Sequence, residues 1–397
     1  MMAALTLSDL VQPLCGVLVG DDVRFDAVTT DSRNLNPGDL YVALRGERFD
    51  GNDFVESAIG TGACGALVGR PMDVTGSTLE VDDTLAALGK IAQLDRANFS
   101  GPLVAITGSS GKTTVKNMLR EILSQHHSVL ATPGNWNNEV GVPLTLLRLE
   151  PRHDFAVIEM GAAKAGDIKY LCSLASPDVS VLLNALPAHL EGFGNVSGVA
   201  TAKAEILAGL GPNGVAVINA DSPYADQFKI AAGESEVISF GIDKSATVRA
   251  SRVSQRGNGT VFTLTTPGGH TEIELELLGA HNVWNALAAA AAALALGIDL
   301  ASTGLGLAAV SAESGRLKPF RLKNGCLLID DSYNANPEAV KAAIDVLANT
   351  NGRRVLVLGA MGELGSESET LHAEVGRYAS ERDIEELWCV GPECLPA

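Results

Sequence analysis

The sequence carries no excess of positive charge. Lys and Arg number 29 against 47 Asp and Glu, a formal net charge of −18. A chain this acidic offers no general polybasic surface for a nucleic-acid backbone or an anionic lipid, although a local basic site can sit within it. A long apolar run is also missing. The longest, ALAAAAAALAL from Ala286 to Leu296, falls short of the roughly 20 residues that a membrane-spanning helix needs. Its alanines suit a closely packed helix. The opening MMAALTLSDLVQPLCG has neither a basic start nor a long apolar core, so no signal peptide is expected. The six cysteines are scattered, with no C-x-x-C pair. That pattern predicts reduced structural thiols and a cytoplasmic protein. Aromatics make up 5% of residues and apolar side chains 46%, a balance that suits an α/β protein rich in Ala, Val, Leu and Gly. There is no internal repeat and no low-complexity linker.

With 397 residues the chain exceeds one ordinary core, and two or three domains are expected. Up to about position 100, short strand-like runs (DLYVAL, CGALVG) alternate with polar turns. NFSGPLVAIT reads as a boundary leading into a strand. Beyond it, LVAIT, FAVIEMG, VSVLLNAL and GVAVINA alternate with helical stretches, which predicts a mostly parallel sheet. A β-rich insert follows, with Gly-Asn-Gly and Pro-Gly-Gly as turn signals, then a helix over HNVWNALAAAAAALALGI. After GRLKPFRL the βα rhythm resumes with CLLIDDSYN, a helix from Pro337 and RVLVLGAMG, which suggests a further α/β domain.

One stretch carries chemistry by its pattern. LVAITGSSGKTTVKNML is an apolar strand, a turn with two glycines, then Lys112, Thr113 and Thr114 opening a helix. Such a turn aims several backbone N–H groups at one spot on the positive end of a helix dipole, which favours an anion. Lys112 can reach outer phosphates and the Thr113 hydroxyl can ligate Mg²⁺. The full Walker pattern wants glycine where this chain has Ile106, so the match is to the shorter form T-G-x-x-G-K-T-T. A nucleotide site alone leaves kinase, ATPase, switch and ligase open. Glu159 ends the strand FAVIE, where a Mg²⁺ ligand is needed beside a P-loop; an ordinary strand-end acid would look the same. His189, in NALPAHLEGFG, follows another strand and can ligate a metal or serve structure. Lys203, in ATAKAEIL, reads on its own as a solvated lysine. Asn135, Asn137 and Asn138, in GNWNNEVGVP, are turn formers or groups around a polar ligand.

Taken together, ITGSSGKTT, GNWNNEVGVPLTLL, VIEMGA, AHLEGFG, ATAKAEIL, GAHNVWNALAA, GRLKPF and DDSYNANPEA, in this order, resemble the Mur ligase family of peptidoglycan synthesis. The resemblance implies an α/β fold of three domains. A central P-loop parallel-sheet ATPase domain (101–314) would be flanked by a small N-terminal α/β domain for the UDP substrate (1–100) and an incomplete Rossmann-like C-terminal domain (315–397). It implies an acid–amino-acid ligase that uses ATP and two Mg²⁺ to add D-Ala-D-Ala to UDP-N-acetylmuramoyl-tripeptide, as a monomer. SYNANP, and the absence of a DNPR pattern, favour the dipeptide-adding member over the diaminopimelate-adding one, and TTDSR argues against the folate enzymes.

The resemblance also assigns roles. Gly108, Ser109, Ser110, Gly111 and Lys112, with Thr113 and Thr114, would hold the phosphates. Thr113 and Glu159 would hold one Mg²⁺, and His189 would help hold a second. Lys203 would be carried as a carbamate. Asn282, beside His281, would contact adenine, and Asp331, beside Asp330, the ribose. Arg316 would meet the γ-phosphate. Ser32 and Arg33 would face the uridine diphosphate. The family pattern continues past LWCVGPECLPA with a Lys-Gly-Ser-Arg strand, so a C-terminal sheet with an unpaired edge and an exposed apolar face is expected. A regulatory P-loop ATPase and a non-catalytic nucleotide-binding fragment are the competing readings.

Overall fold

The computed structural model describes residues 5–256 and 259–397. It divides into two compact units, Met1–Leu103 with Ser128–Met160 and Tyr170–Ser176, and Val104–His127 with Gly161–Lys169 and Pro177–Ala397.

The first unit is built on a five-stranded sheet in the order Val17–Val19, Ser77–Glu80, Gly65–Val68, Asp39–Val42, Ala27–Thr29. All neighbours run parallel except the first pair. Its inner strands read DLYV and GALV and are buried throughout, as strands covered on both faces must be. The helix Thr84–Arg96 starts at Asp83, whose carboxylate accepts from the N–H groups of Leu85 and Ala86 (2.8 and 3.0 Å). This unit also holds the parallel pair Val129–Ala131 and Phe155–Glu159.

In the second unit, Val179–Leu182 pairs in parallel with the P-loop strand Leu103–Thr107 on one side and with Val215–Asn219 on the other; Glu236–Gly241 and the start of Val248–Arg256 continue the parallel run. The run then turns antiparallel through Val248–Arg256, Gly259–Thr266 and Gly269–Leu275. The expected β-rich insert is this antiparallel end. Gly257 and Asn258, the first two residues of the expected Gly-Asn-Gly turn, lie outside the described residues.

The P-loop helix Lys112–Leu123 packs against the helix His281–Ala295. The seven alanines between Ala286 and Ala293, broken only by Leu287, are almost wholly buried. Small side chains let this helix lie close to both its neighbour helix and the sheet strands behind it. Among the described residues no helix is long and apolar enough to cross a membrane.

Further along, Lys318–Arg321 pairs antiparallel with Leu327–Asp330, and Val355–Gly359 pairs in parallel with Glu386–Val390. The helices Pro337–Ala348 and Ser368–Glu381 meet over a core of Ile344, Leu358, Met361, Leu364 and Val375. Val357, Trp388 and Val390 are exposed. The resumed βα rhythm after GRLKPFRL is therefore present as read.

Overpacking tests the helix contact. Ala289 is fully buried, and Ala289→Leu is expected to cost about 1–3 kcal/mol. Ala295→Leu, at a half-exposed position, is expected to cost far less. Urea unfolding midpoints of the two variants check this; equal costs would contradict the packing described.

Candidate active site

The turn after Thr107 runs Gly108-Ser109-Ser110-Gly111, and the helix begins at Lys112. Gly111 has φ 86°, a left-handed backbone that side chains rarely adopt, and a Cβ there would come 2.4 Å from Asn285 Oδ1. At Gly108 a Cβ would meet Leu183 Cβ at 2.9 Å. Both glycines are therefore dictated by space, and Gly111 by conformation as well. Lys112 Nζ donates to Gly108 O (2.9 Å), folding the lysine back over its own loop.

A residue that the sequence reading did not single out organises this loop. Asn184, just past the strand Val179–Leu182, accepts through Oδ1 from the N–H groups of both Ser109 and Ser110 (3.0 and 3.1 Å). Its amide donates in return to Ser110 O (3.1 Å). Ser109 Oγ exchanges hydrogen bonds with Leu186 O and Leu186 N–H (3.0 and 2.9 Å). The available signal was a polar side chain at the carboxyl end of a central parallel strand, where ligand sites gather.

One further expected residue comes to the head of the P-loop helix from far along the chain. Arg316 Nη2 donates to Thr113 Oγ1 (2.9 Å) across 203 residues, and its guanidinium lies 4.2 Å from the Tyr333 ring centroid. Thr114, Asn117, Asn282, Glu313 and Arg316 line one small cleft. Glu313 accepts from Asn117 Nδ2, while Asn117 Oδ1 is buried with no partner among the described residues. Asn282 lies in the cleft, but its carboxamide bonds within its own helix turn, to Leu278 O (2.7 Å) and from Asn285 Nδ2 (2.9 Å).

Lys203 departs from its reading as a solvated lysine. It is 1% exposed, on the helix Val196–Ala208. Its Nζ lies 5.9 Å from the Phe193 ring centroid, and Phe193 in turn stands edge-on to the His189 imidazole at 6.4 Å between centroids. Burial, with the charge of Lys112 as a second cause, lowers the Lys203 amine from 10.5 to about 7. His189 has φ 51° and its Nδ1 forms an ion-pair contact with Glu363. Lys112, Lys203 and His189 therefore belong to one neighbourhood of the second unit.

The other expected residues are held by local partners. Glu159, in the first unit, is 1% exposed. Its Oε1 accepts from Asn137 Nδ2 (2.8 Å), and its N–H donates to Thr132 Oγ1 (2.9 Å). Asn138 Oδ1 accepts from Gly141 N–H (2.9 Å) at the start of the helix Gly141–Leu146. Asn135 is exposed. Arg33 makes a two-point contact with Asp31 (2.8 and 3.1 Å), and its side chain is 88% exposed; Ser32 lies between them in the same turn. Asp331 Oδ1 accepts from Leu317 N–H (3.1 Å), and burial raises its carboxyl above the usual range. Asp330 accepts from Gly315 N–H (2.9 Å) and from Ser332. The two acids thus brace the backbone around Arg316.

The Lys203 amine gives a stability test with a definite sign. Below about pH 7 it is protonated in the folded and the unfolded chain alike. Between about 7 and 10.5 the unfolded chain holds a proton that the folded chain does not, so folding stability rises with pH across that window. Lys203→Met lacks this term. The variant is expected to be the more stable near neutral pH, with its advantage shrinking as pH rises. Parallel pH profiles of the two urea midpoints would contradict it.

Three family models cover most of the chain. The Mur ligase family catalytic domain matches residues 24–96, the Mur ligase middle domain 106–293, and the Mur ligase glutamate ligase domain 315–397. The UDP-N-acetylmuramoyl-tripeptide–D-alanyl-D-alanine ligase of Escherichia coli K12 is 46% identical over 393 residues, covering 99% of this chain and 87% of the relative. A crystal structure of MurF from Acinetobacter baumannii superposes with TM-score 0.96 at 38% identity, over 100% of this chain and 87% of that one. The Thermotoga maritima MurF ligase, solved in complex with ADP, matches with TM-score 0.85 at 32% identity, over 93% and 86%. By these matches, and by its P-loop fold, the chain belongs to the Mur ligase family.

Proposed function

We propose that the chain joins D-Ala-D-Ala to UDP-N-acetylmuramoyl-tripeptide at the expense of ATP, in the synthesis of peptidoglycan precursors. The observation that carries this reading is Arg316 reaching Thr113 at the head of the P-loop helix. A second cation brought from a distant segment to a phosphate-binding turn is what phosphoryl transfer needs and simple nucleotide binding does not.

The chemistry follows from the substrates. A carboxylate oxygen is a poor leaving group. Transfer of the γ-phosphoryl of ATP to that oxygen gives an acyl phosphate and ADP. The dipeptide amine then attacks the acyl carbon, a proton leaves the nitrogen, and phosphate departs from the tetrahedral intermediate. The protein's part is positioning and charge neutralisation. Gly108, Ser109, Ser110 and Gly111 offer backbone N–H groups, two of which a phosphate would contest with Asn184. Lys112, Thr114 and Arg316 surround the outer phosphates. Asn282 would meet the adenine and Asp331 the ribose.

Thr113 and Glu159 supply oxygen donors that suit Mg²⁺, and His189 would serve a second ion. Among the described residues no three His, Cys, Asp or Glu gather as a metal cluster. That fits a cation held by one or two protein groups together with substrate phosphates. When bound, Mg²⁺ would neutralise phosphate charge during transfer.

Lys203 is suited to carbamylation. Its neutral amine would attack the carbon of CO₂, a C=O electron pair would move to oxygen, and a proton would leave the nitrogen. A buried cation beside Lys112 becomes an anion beside a cation, and can then support the second metal. In the N-terminal segment, Ser32 and Arg33 would face the uridine diphosphate, with Asn135, Asn137 and Asn138 as further substrate contacts. We assign the UDP substrate to residues 1–100, ATP to 101–314 and the incoming amine to 315–397, in a cytoplasmic monomer.

Phosphate release by purified protein with ATP, Mg²⁺ and both substrates is expected to require the tripeptide and the dipeptide together. Release indifferent to the dipeptide would favour a regulatory ATPase, and nucleotide binding without release a non-catalytic fragment. Arg316→Ala is expected to lower kcat by about 10³-fold or more, as for other arginines on a transferred phosphoryl group. Lys203→Ala is expected to abolish activity, with partial rescue by short carboxylic acids; no rescue would count against the carbamate.

A further inference from the structure

We infer that Glu363 is a positioning residue for His189, holding the imidazole proton on Nδ1 so that Nε2 is left as the free donor. The inference rests on the reading of His189 as a residue of the metal side of the site. It concerns a contact that neither the P-loop pattern nor the polar clusters of the sequence bring out.

The contact joins two distant segments. His189 caps the short helix Leu190–Phe193, and Glu363 lies in the loop after the strand Val355–Gly359. Glu363 Oε2 is against His189 Nδ1, and that nitrogen is otherwise buried without a hydrogen-bond partner. The approach lacks the direction of a hydrogen bond, so it acts as a charge contact that fixes which ring nitrogen faces the carboxylate. The second nitrogen, Nε2, is on the other side of the ring. A carboxylate behind a metal-binding imidazole is the usual way a protein sets that ring's tautomer and orientation.

The loop is built to present this carboxylate. Met361 and Leu364, which flank Gly362 and Glu363, are each 3% exposed in the core beneath the helix Ser368–Glu381. Met361 N–H donates to Nε2 of the fully buried His372 (3.1 Å), whose Nδ1 donates to Ser368 O (2.8 Å). Between these anchors the Glu363 side chain is 62% exposed and points to His189. Both partners of the contact have left-handed backbones, φ 51° at His189 and 59° at Glu363. Neither is a glycine, so each conformation carries a cost. Two such residues meeting side chain to side chain mark a place where geometry is favoured over local comfort.

The test uses the full chain uniformly labelled at histidine nitrogens, together with Mn²⁺ binding in the presence of ADP followed by electron paramagnetic resonance. In the metal-free protein the His189 proton is expected on Nδ1. Glu363→Ala is expected to move it to Nε2 and to weaken the His189-dependent Mn²⁺ binding by about tenfold or more. Glu363→Gln, which keeps the shape and removes the charge, is expected to lose most of both, while Glu363→Asp, which keeps the charge, is expected to retain part. The Glu363 side chain is exposed, so its removal is expected to leave the melting temperature unchanged, and that is the control for folding. An unchanged tautomer or an unchanged Mn²⁺ affinity in Glu363→Ala would overturn the inference. His189→Ala separates the two ideas: if it leaves Mn²⁺ binding intact, the metal-side reading of His189 fails, and the inference with it.

Discussion

A buried lysine, Lys203, held in one corner near the half-buried P-loop lysine, Lys112, is the constraint on which the rest of the second unit depends. Lys112 is set by the P-loop turn, and Lys203 comes from a helix whose neighbours are mostly alanine and branched aliphatics. Burying an ammonium is costly, and a like charge nearby adds to the cost. The fold answers by letting the Lys203 amine lose its proton near neutrality. An amine that loses its proton near neutrality beside a second cation is an unusual arrangement to maintain for structure alone, because a leucine or methionine would fill the space at no electrostatic cost. It has a use where anions of high charge must be held and passed on.

The segment beyond position 310 reaches that corner through three side-chain encounters: Arg316 with Thr113, Glu313 with Asn117, and Glu363 with His189. Each joins a residue of a loop or turn to one on the P-loop helix or at the head of the helix Leu190–Phe193. Asp330 and Asp331 brace the backbone from which Arg316 projects, and Leu317 beside it takes a left-handed φ of 51°. Cation, hydroxyl and imidazole are thus positioned by parts of the chain that are independent in sequence. Phosphoryl transfer is sensitive to such positioning, since the protein has little covalent work to do.

Much of this architecture was legible in the sequence, for a physical reason. Strands such as LVAIT and VSVL are buried on both faces and read as continuous apolar runs, while the glycines of the P-loop report a left-handed turn at Gly111 and close approaches that a side chain would obstruct. The alanine run of 286–293 announced a tight helix contact. What stayed hidden were meetings decided by packing. The helix carrying Lys203 has one polar stripe, Ser197, Thr201 and Glu205, and Lys203 lies off it among buried Ala202, Ala204 and Ile206; a lysine's long stem commonly carries its charge from such a position to water, so ATAKAEIL alone reads as solvated. Asn184 and Glu363 gave no periodic signal, being single polar residues at a strand end and in a loop. Conversely, Asn138 spends its side chain on starting a helix, the turn-forming role that Asn commonly takes.

The central claim is that this corner activates a carboxylate by phosphorylation, and the oxygen atoms of the reaction report on it directly. The tripeptide substrate is labelled with ¹⁸O in its reacting carboxylate, and the phosphate released during ligation is analysed by mass spectrometry. Passage through an acyl phosphate leaves one labelled oxygen in each phosphate formed. Phosphate that carries its new oxygen from water instead would contradict the account.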